Sequence, residues 1–298
     1  WDDDLLRLFQ IPAAILPTVH PNTHIFGHTD PAITGRAIPI GGMAGDQQAA
    51  LIGQRCFAAG DIKSTYGTGC FALANIGPDM ILSDHNLLTT IGYNIAGQRI
   101  YAMEGSIFIA GAAIKWLRDS MGLIASAADS ARMAASVAEN HGVHFIPAFV
   151  GLGAPHWRSD VRASITGMSL DTTPAHIARA ALEAIAYQTC DLVEAIGGGE
   201  ITPRKMMQID GGMASNDWFA QFLADMLDMP VERPDNYEAT ALGAAYLAGL
   251  TMGIWPDLAA LQSQPRPAMR FIPQMDSATR VQKLADWRKA VSHLLAAN

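Results

Sequence analysis

The sequence has 298 residues, 50% of them hydrophobic and 16% charged, with a formal net charge of −8. This balance excludes a largely disordered chain, and the sequence has no basic tract of the kind that binds nucleic acids. No apolar run reaches the roughly 18 residues that a membrane-spanning helix needs. The three cysteines form no C-x-x-C motif, which favours a reducing, cytoplasmic location.

The first 45 residues predict only short elements. Residues 1–37 are expected to form a short helix, a proline-bounded loop and then loop or hairpin. Ile38–Ile40 predicts a short strand, followed by a glycine-rich turn and a helix over residues 47–53. Because the sequence starts with Trp1 inside an amphipathic pattern, we expect a cut or processed piece of a longer protein.

Four segments rich in Thr, Ile, Tyr and Phe predict an antiparallel meander of strands. They lie at residues 62–66, 70–76, 87–95 and 99–102. The apolar period then changes to helical, which predicts two helices, over residues 106–121 and about 125–139.

The second half of the sequence alternates strand and helix patterns. After a strand ending at Phe149 and a loop over residues 151–170, Thr173 is expected to cap a long helix that Gly197–Gly199 ends. Further strands are predicted at residues 206–209 and 231–232, and further helices at 216–227, 239–252 and 277–296. This order predicts one α/β layered domain, with residues 1–45 belonging to an upstream partner domain.

The turn before the first helix of this domain carries a carboxylate, Asp46, among glycines. On spacing alone, the simpler interpretation is that Asp46 caps the helix and favours its positive end. The alternative is a general base at the mouth of a cleft, with the glycines letting backbone approach a ligand.

Two further turns are ambiguous in the same way. Gly67–Gly69 predicts a tight hairpin, either a plain turn or one whose N–H groups and Thr68 hydroxyl face phosphate oxygens. Asp210–Asn216 predicts a strand-to-helix turn, either a plain capped turn or a ligand site at the end of a strand. The sequence has no P-loop motif, and His20, His24 and His28 lack the helical context that a metal site would need.

In combination, these segments resemble the FGGY carbohydrate kinases, and the glycerol kinases within them. The resemblance covers nearly the whole sequence and rests on residues 45–51, 66–71, 153–157, 210–216 and 240–249. It implies an α/β, actin-like ATPase (ribonuclease H-like) fold of two domains, with ATP and substrate in the cleft between them. Residues 1–46 would be the end of the N-terminal domain and the interdomain segment, and residues 47–298 the C-terminal domain of this two-domain kinase.

The resemblance also implies roles for single residues. Asp46 would be the catalytic base, would bind substrate and would hold Mg²⁺ indirectly through water. Gln47 would hydrogen-bond a substrate hydroxyl and Phe71 would pack on the substrate's carbon chain. The ATP-binding residues would be Gly67, Thr68, Gly111, Lys115, Gly212 and Asn216. Lys115 stands where glycerol kinases usually have Gln.

The implied function is ATP-dependent phosphorylation of a polyol hydroxyl, glycerol to glycerol 3-phosphate first, in a cytoplasmic homodimer or homotetramer. A kinase for another polyol or sugar, of the erythritol, xylulose or ribulose type, is one alternative. A non-catalytic nucleotide-binding fragment is another, since no segment matches the family's N-terminal half. A nucleotide hydrolase of the same superfamily is a third.

Overall fold

The computed structural model describes residues 1–198, 206–236 and 238–297. The strands are β1 (Ile62–Tyr66), β2 (Cys70–Gly77), β3 (Leu88–Ile95), β4 (Gln98–Ile107), β5 (His144–Ile146), β6 (Ser164–Thr166), β7 (Met207–Asp210), β8 (Val231–Pro234) and β9 (Ala268–Phe271). The helices are α1 (Asp3–Phe9), α2 (Pro31–Thr34), α3 (Asp46–Gly53), α4 (Gly111–Asp119), α5 (Asp129–Ala135), α6 (Pro174–Gly197), α7 (Asp217–Leu227), α8 (Ala239–Thr251), α9 (Leu258–Gln262) and α10 (Ser277–Ala296).

The described strands form a mixed seven-stranded sheet in the order β3-β4-β2-β1-β7-β8-β9, and β5 pairs with β6. The four predicted strands are confirmed as antiparallel neighbours, but they do not form a simple meander. Strand β2 pairs with β4 rather than with β3, and β3 lies at the edge of the sheet beyond β4. Strand β7 pairs parallel to β1, so the carboxyl ends of these two strands meet at one edge. A ligand site at that edge is common in α/β proteins.

The two faces of the sheet bury different helices because side chains alternate along each strand. On one face, β1 residues such as Ile62 and Tyr66 share a core with the long helix α6. On the other face, Leu73 of β2 packs in a second core with Leu51 of α3 and Leu247 of α8. The sheet is therefore the middle layer of three, as the predicted layered α/β domain requires.

Helix α6 begins where the sequence predicts. Thr173 is its N-cap, and the Thr173 backbone N–H donates to Nδ1 of His176 at 3.0 Å. Pro174 occupies the first helical position, where a missing N–H costs nothing. Gly199, the last glycine predicted to end this helix, lies outside the described residues.

Several predicted elements differ from the observed ones. Residues 106–107 belong to β4, because pairing with Cys70 and Phe71 extends that strand, and the helix begins only at Gly111. The predicted strand at Ile38–Ile40 is reduced to an isolated bridge between His28 and Pro39, and the Ile38 N–H donates to the Thr29 side chain rather than to a strand backbone. Helix α5 is shorter than the predicted 125–139, and β6, α9 and β9 were not predicted.

Candidate active site

The hairpin that joins β1 to β2 is held against the start of α4. Within the turn, the Gly67 N–H donates to the Gly69 carbonyl at 2.9 Å. The Gly111 N–H donates to the Gly67 carbonyl at 3.0 Å, and the N–H groups of Ala110 and Ala112 donate to the Thr68 carbonyl at 2.8 and 3.0 Å. Gly67 and Thr68 nevertheless remain exposed, so the hairpin presents a fixed outer surface.

Close backbone approach explains Gly69 of this hairpin and Gly111 at the start of α4. A β-carbon on Gly111 would stand 2.6 Å from the Gly67 carbonyl oxygen, and one on Gly69 would stand 2.5 Å from that of Ile107. Both distances are too short for a non-bonded carbon and oxygen. Gly111 therefore lets α4 pack against the hairpin, and Gly69 lets the hairpin pack against the end of β4, in both cases backbone on backbone.

The turn after β7 brings a second set of residues to the same edge. Gly211 has a φ of +87°, and a β-carbon there would lie 2.5 Å from the Tyr66 carbonyl oxygen. Gly212 is different, because its β-carbon would meet no heavy atom of the described residues within 4 Å. Asn216 is the N-cap of α7, its Oδ1 accepting the Phe219 N–H at 3.0 Å.

A cavity of about 840 Å³ lies between the hairpin, α4, α5 and the start of α7. All six residues predicted to bind ATP line it: Gly67, Thr68, Gly111, Lys115, Gly212 and Asn216. A volume of this size is within the usual range for a ligand the size of a nucleotide. The structure therefore brings together, in one cavity, residues that are up to 149 positions apart in the sequence.

The cavity also has lining residues that the sequence reasoning missed. Arg118 follows Lys115 by three positions on α4, so the helical period could have indicated it. Ser130 on α5 accepts a hydrogen bond from Nδ2 of Asn216 at 3.4 Å. Trp218 also lines the cavity, and Cζ of Arg179 lies 5.2 Å from the centre of its ring. Short apolar residues of α4 and α5 make up much of the rest.

Asp46 begins helix α3 and is exposed. The N-cap of α3 is Gly45, and the Asp46 side chain accepts instead from the next residue. The Gln47 backbone N–H donates to Oδ1 at 2.8 Å, and Nε2 of Gln47 donates to Oδ2 at 3.4 Å. Asp46 is therefore not the N-cap of α3. Its carboxylate still accepts one of the free N–H groups of the first turn, and its charge lies at the positive end of the helix, so the capping interpretation holds in part.

The sheet face under α3 carries the remaining predicted site residue. Phe71 pairs with Thr65 of β1, which in turn pairs with Asp210 of β7, so the three side chains share one face. Phe71 is 38% exposed although it lies in a central strand. Glu104 of β4 lies on the same face, opposite Leu73, and burial raises the pKa of its carboxyl.

A buried lysine connects this face to α3. Lys63 of β1 has no exposed surface, and its Nζ donates to Oε1 of Gln47 at 2.5 Å and to Oγ1 of Thr65 at 2.9 Å. Burial lowers the pKa of Lys63, and the negative charge of Asp210 opposes that change. Asp210 is also buried, which raises the pKa of its carboxyl, and it accepts from Nε2 of Gln54 at 2.7 Å.

The described residues contain no group of three or more His, Cys, Asp and Glu side chains that could hold a metal ion. His20 and His24 stack on each other, with ring centres 3.9 Å apart. No helix in the described ranges combines the length and apolar character needed to cross a membrane.

Comparison with known proteins identifies the family. The model of the FGGY family of carbohydrate kinases, C-terminal domain, matches residues 62–252. The chain belongs to the FGGY family of carbohydrate kinases. The matched range contains β1, the hairpin, the cavity residues and α8, so the family assignment rests on the same elements that build the candidate site.

Among curated FGGY relatives, the glycerol kinase of Methylobacterium nodulans is 53% identical over 301 residues, covering 99% of this chain and 59% of the relative. That of Nitrosomonas eutropha is 53% identical over 298 residues, covering 100% of this chain and 60% of the relative. The chain thus spans about 60% of the length of these relatives.

Solved FGGY structures confirm the predicted actin-like ATPase fold. Plasmodium falciparum glycerol kinase, solved with ADP, superposes with a TM-score of 0.92 at 39% identity, over 99% of this chain and 60% of that one. A xylulose kinase from Lactobacillus acidophilus superposes with a TM-score of 0.84 at 21% identity, over 99% of this chain and 61% of that one, and bears on the fold alone.

Proposed function

We propose that this chain is the part of an ATP-dependent polyol kinase that binds the nucleotide and supplies the catalytic base, with glycerol as the first candidate substrate. One observation carries the proposal: the six residues expected to bind ATP line one cavity next to the end of β1, and Lys63 of the same strand is connected by hydrogen bonds through Gln47 to the exposed carboxylate of Asp46. The choice of glycerol is supported by the relatives named above, which are glycerol kinases.

The chemistry of the cavity suits a nucleoside triphosphate. Its apolar walls on α4 and α5 can hold a base, and the empty space in front of Gly212 leaves room for the adenosine. Lys115 and Arg118 supply positive charge at the lining, and the exposed Thr68 hydroxyl can donate to a phosphate oxygen. Phosphoryl transfer needs positioning and charge neutralisation more than covalent help from the protein.

On the acceptor side, Asp46 takes the proton of the attacked hydroxyl as that oxygen bonds to the γ-phosphorus. The bond from the γ-phosphorus to the bridging oxygen breaks, and ADP leaves with that oxygen. Both Asp46 oxygens already accept from Gln47, which fixes the carboxylate while leaving it open to solvent and substrate. Phe71, on the same side of the sheet, offers its exposed ring to the carbon chain.

The donor set also suits Mg²⁺. This ion keeps several waters and binds through one or two carboxylates and the substrate phosphates, so a dense cluster of protein ligands is not required. Asp46 is an exposed carboxylate that can hold it through water. When bound, Mg²⁺ neutralises charge on the transferring phosphate groups.

A coupled ADP-release assay on the intact gene product tests the function. We expect turnover with glycerol and a kcat/KM at least about tenfold lower for erythritol, xylulose, ribulose and gluconate. These acceptors are larger and place their hydroxyls differently, and each decade corresponds to about 1.4 kcal/mol of lost transition-state binding. A higher kcat/KM for another acceptor would replace glycerol. ADP release without a phosphorylated acceptor would indicate a hydrolase.

The coverage of about 60% of its relatives favours a second candidate, a nucleotide-binding unit that does not catalyse by itself. Titration calorimetry of the 298-residue chain with ATP separates the two possibilities in part. Binding without turnover supports this candidate, and turnover by the isolated chain contradicts it.

The cellular setting belongs to the same proposal. The cysteines Cys56, Cys70 and Cys190 are buried free thiols, which suits a reducing cytoplasm. Burial raises the pKa of the Cys70 thiol to about 12, so it stays protonated and unreactive at neutral pH. A dimer or tetramer, expected from the resemblance, is tested by light scattering on the intact gene product.

A further inference from the structure

The side-chain amide of Gln47 lies between a cation and a carboxylate. Its Oε1 accepts from Nζ of Lys63, and its Nε2 donates to Oδ2 of Asp46 at 3.4 Å. An ammonium group can only donate and an ionised carboxylate can only accept, so only one orientation of the amide satisfies both neighbours. The reversed amide would set its NH₂ against the ammonium and its oxygen against the carboxylate.

Lys63 is itself fixed in place. It is fully buried in a central strand, and its Nζ also donates to Oγ1 of Thr65 at 2.9 Å. The carboxylates that act on Lys63 from neighbouring strands are Asp210 on β7 and Glu104 on β4. A buried cation is strongly disfavoured unless it is paired and hydrogen-bonded, so its retention among these partners calls for a specific role.

We propose that Lys63 is a positioning residue for the acceptor site, one that holds Gln47 with its amide N–H groups facing Asp46 and the substrate hydroxyl. The proposal rests on the proposed function, because it deepens the acceptor half of that site. Both hydrogen bonds point the same way: Nζ of Lys63 donates to Oε1 of Gln47, and Nε2 of Gln47 donates to Oδ2 of Asp46. Lys63 thereby selects an acceptor that presents a hydroxyl oxygen to the Gln47 amide.

Kinetics of the intact gene product test this role with Lys63→Met, Gln47→Leu and the double variant. We expect Lys63→Met to lower kcat/KM for the polyol by about 10- to 100-fold, as for loss of a hydrogen bond to a charged group. The KM for ATP should stay within about twofold of wild type. The double variant should be no worse than Gln47→Leu alone, because both changes remove one function.

The matched control is Lys289→Met, the same change at an exposed position on α10. It should leave the kcat/KM for the polyol and the KM for ATP within about twofold of wild type. A Lys63→Met variant with unchanged kcat/KM for the polyol would overturn the proposal. The proposal would also be overturned if the loss of kcat/KM in the double variant equals the product of the losses in Lys63→Met and Gln47→Leu, because residues that act independently contribute additive free energies.

A second measurement, by NMR, tests the contact between Lys63 and Gln47 without relying on turnover. In protein labelled with ¹⁵N-glutamine, the Gln47 side-chain amide is the pair of signals that Gln47→Leu removes. We expect this pair to shift in Lys63→Met and, to a smaller degree, in Thr65→Val, which keeps the charge and removes the second acceptor of Nζ. It should stay in place in Lys289→Met.

Unmoved Gln47 signals in both Lys63→Met and Thr65→Val would refute the proposal. If the intact protein phosphorylates none of the polyols, the proposed function fails, while the amide signals still decide whether Lys63 orients Gln47. If Lys63→Met does not fold, Thr65→Val carries the test alone.

Discussion

A β-carbon placed on Gly243 of α8 would stand 1.8 Å from the carbonyl oxygen of Ala49 in α3. The contact is nearly reciprocal, because a β-carbon on Gly53 of α3 would stand 1.9 Å from the carbonyl oxygen of Ala239 in α8. The two helices therefore touch backbone to backbone at both glycines. Since α3 begins with Asp46, this contact sets the height of the candidate base above the sheet.

Gly243→Ala should lower both stability and turnover. The added methyl group meets a backbone carbonyl that has no freedom to rotate away, so α3 and α8 must separate at a cost of about 1–3 kcal/mol or more. We expect a lower thermal unfolding midpoint and a lower kcat for the polyol in the intact gene product. Ala244→Ser adds one heavy atom on the exposed side of the same helix and should change neither quantity.

Asp46→Asn should remove the base and keep the nucleotide site. An amide has no basic lone pair for the hydroxyl proton, so kcat should fall by about 10²- to 10⁴-fold. Calorimetry should give an unchanged ATP affinity, because Asp46 is not among the residues that line the cavity. Asp84→Asn, in an exposed loop, is the matched control. Near-normal turnover in Asp46→Asn would exclude it as the base.

Gly212→Ala should impair ATP binding without loss of stability, whereas Gly211→Ala should lower stability. At Gly212 the methyl group enters empty space, so the fold should be unchanged while the KM for ATP rises by about tenfold from overlap with the ligand. At Gly211 the φ of +87° and the Tyr66 carbonyl make alanine strained, so the unfolding midpoint should drop. An equal KM for ATP in Gly212→Ala and wild type would refute the assignment of the cavity as the ATP site.

Glu232→Gln should weaken the fold in a pH-dependent way. Glu232 on β8 accepts from Arg266 at 2.5 Å and from Arg270 at 2.8 Å. Burial by itself would raise the pKa of Glu232, but these arginines together hold it below the ordinary value of 4.5. A lowered carboxyl pKa stabilises the fold fully above about pH 4.5, and the stabilisation is lost as the pH falls through the folded-state pKa.

The measurement is the thermal midpoint of wild type and Glu232→Gln between pH 7 and pH 3. We expect a loss of about 1.5–3 kcal/mol at pH 7, the value of a hydrogen bond to a charged group. The two proteins should converge toward pH 3. Glu194→Gln, on the exposed end of α6, should show a much smaller difference, since exposed ion pairs contribute little. A constant gap across the pH range would contradict the assigned titration.

Elements with strong local signals could be predicted from the sequence. Helix α6 has a proline at its first position and a long apolar stripe, and α10 begins and ends as expected. Strand β9 was missed because its four residues follow two prolines, and its pairing partner β8 lies more than 30 residues earlier. Such a strand is defined by tertiary pairing, which local propensity does not describe.

Residues of the candidate site also differ in how far local sequence indicates them. The turns that hold Gly67, Thr68, Gly212 and Asn216 could be predicted because glycine-rich turns and caps are readable in one segment. Their local pattern left a ligand role open, and only the resemblance to the FGGY kinases assigned them to ATP. Lys63 received no role, because a lysine within a strand usually indicates an edge or a surface. The available signal was its spacing of two from Thr65, which places both side chains on one face of β1. Its burial depends on α3 crossing that face, which the sequence does not reveal.

The hydrogen bonds from Ala110, Gly111 and Ala112 to the hairpin carbonyls have a thermodynamic consequence. They join backbone atoms of the chain itself, so the turn at Gly67 and Thr68 loses its conformational entropy when the chain folds rather than when the proposed nucleotide binds. Preorganisation of this kind leaves more of the contact energy for affinity, and it would make the hairpin a fixed template on which the proposed triphosphate becomes ordered.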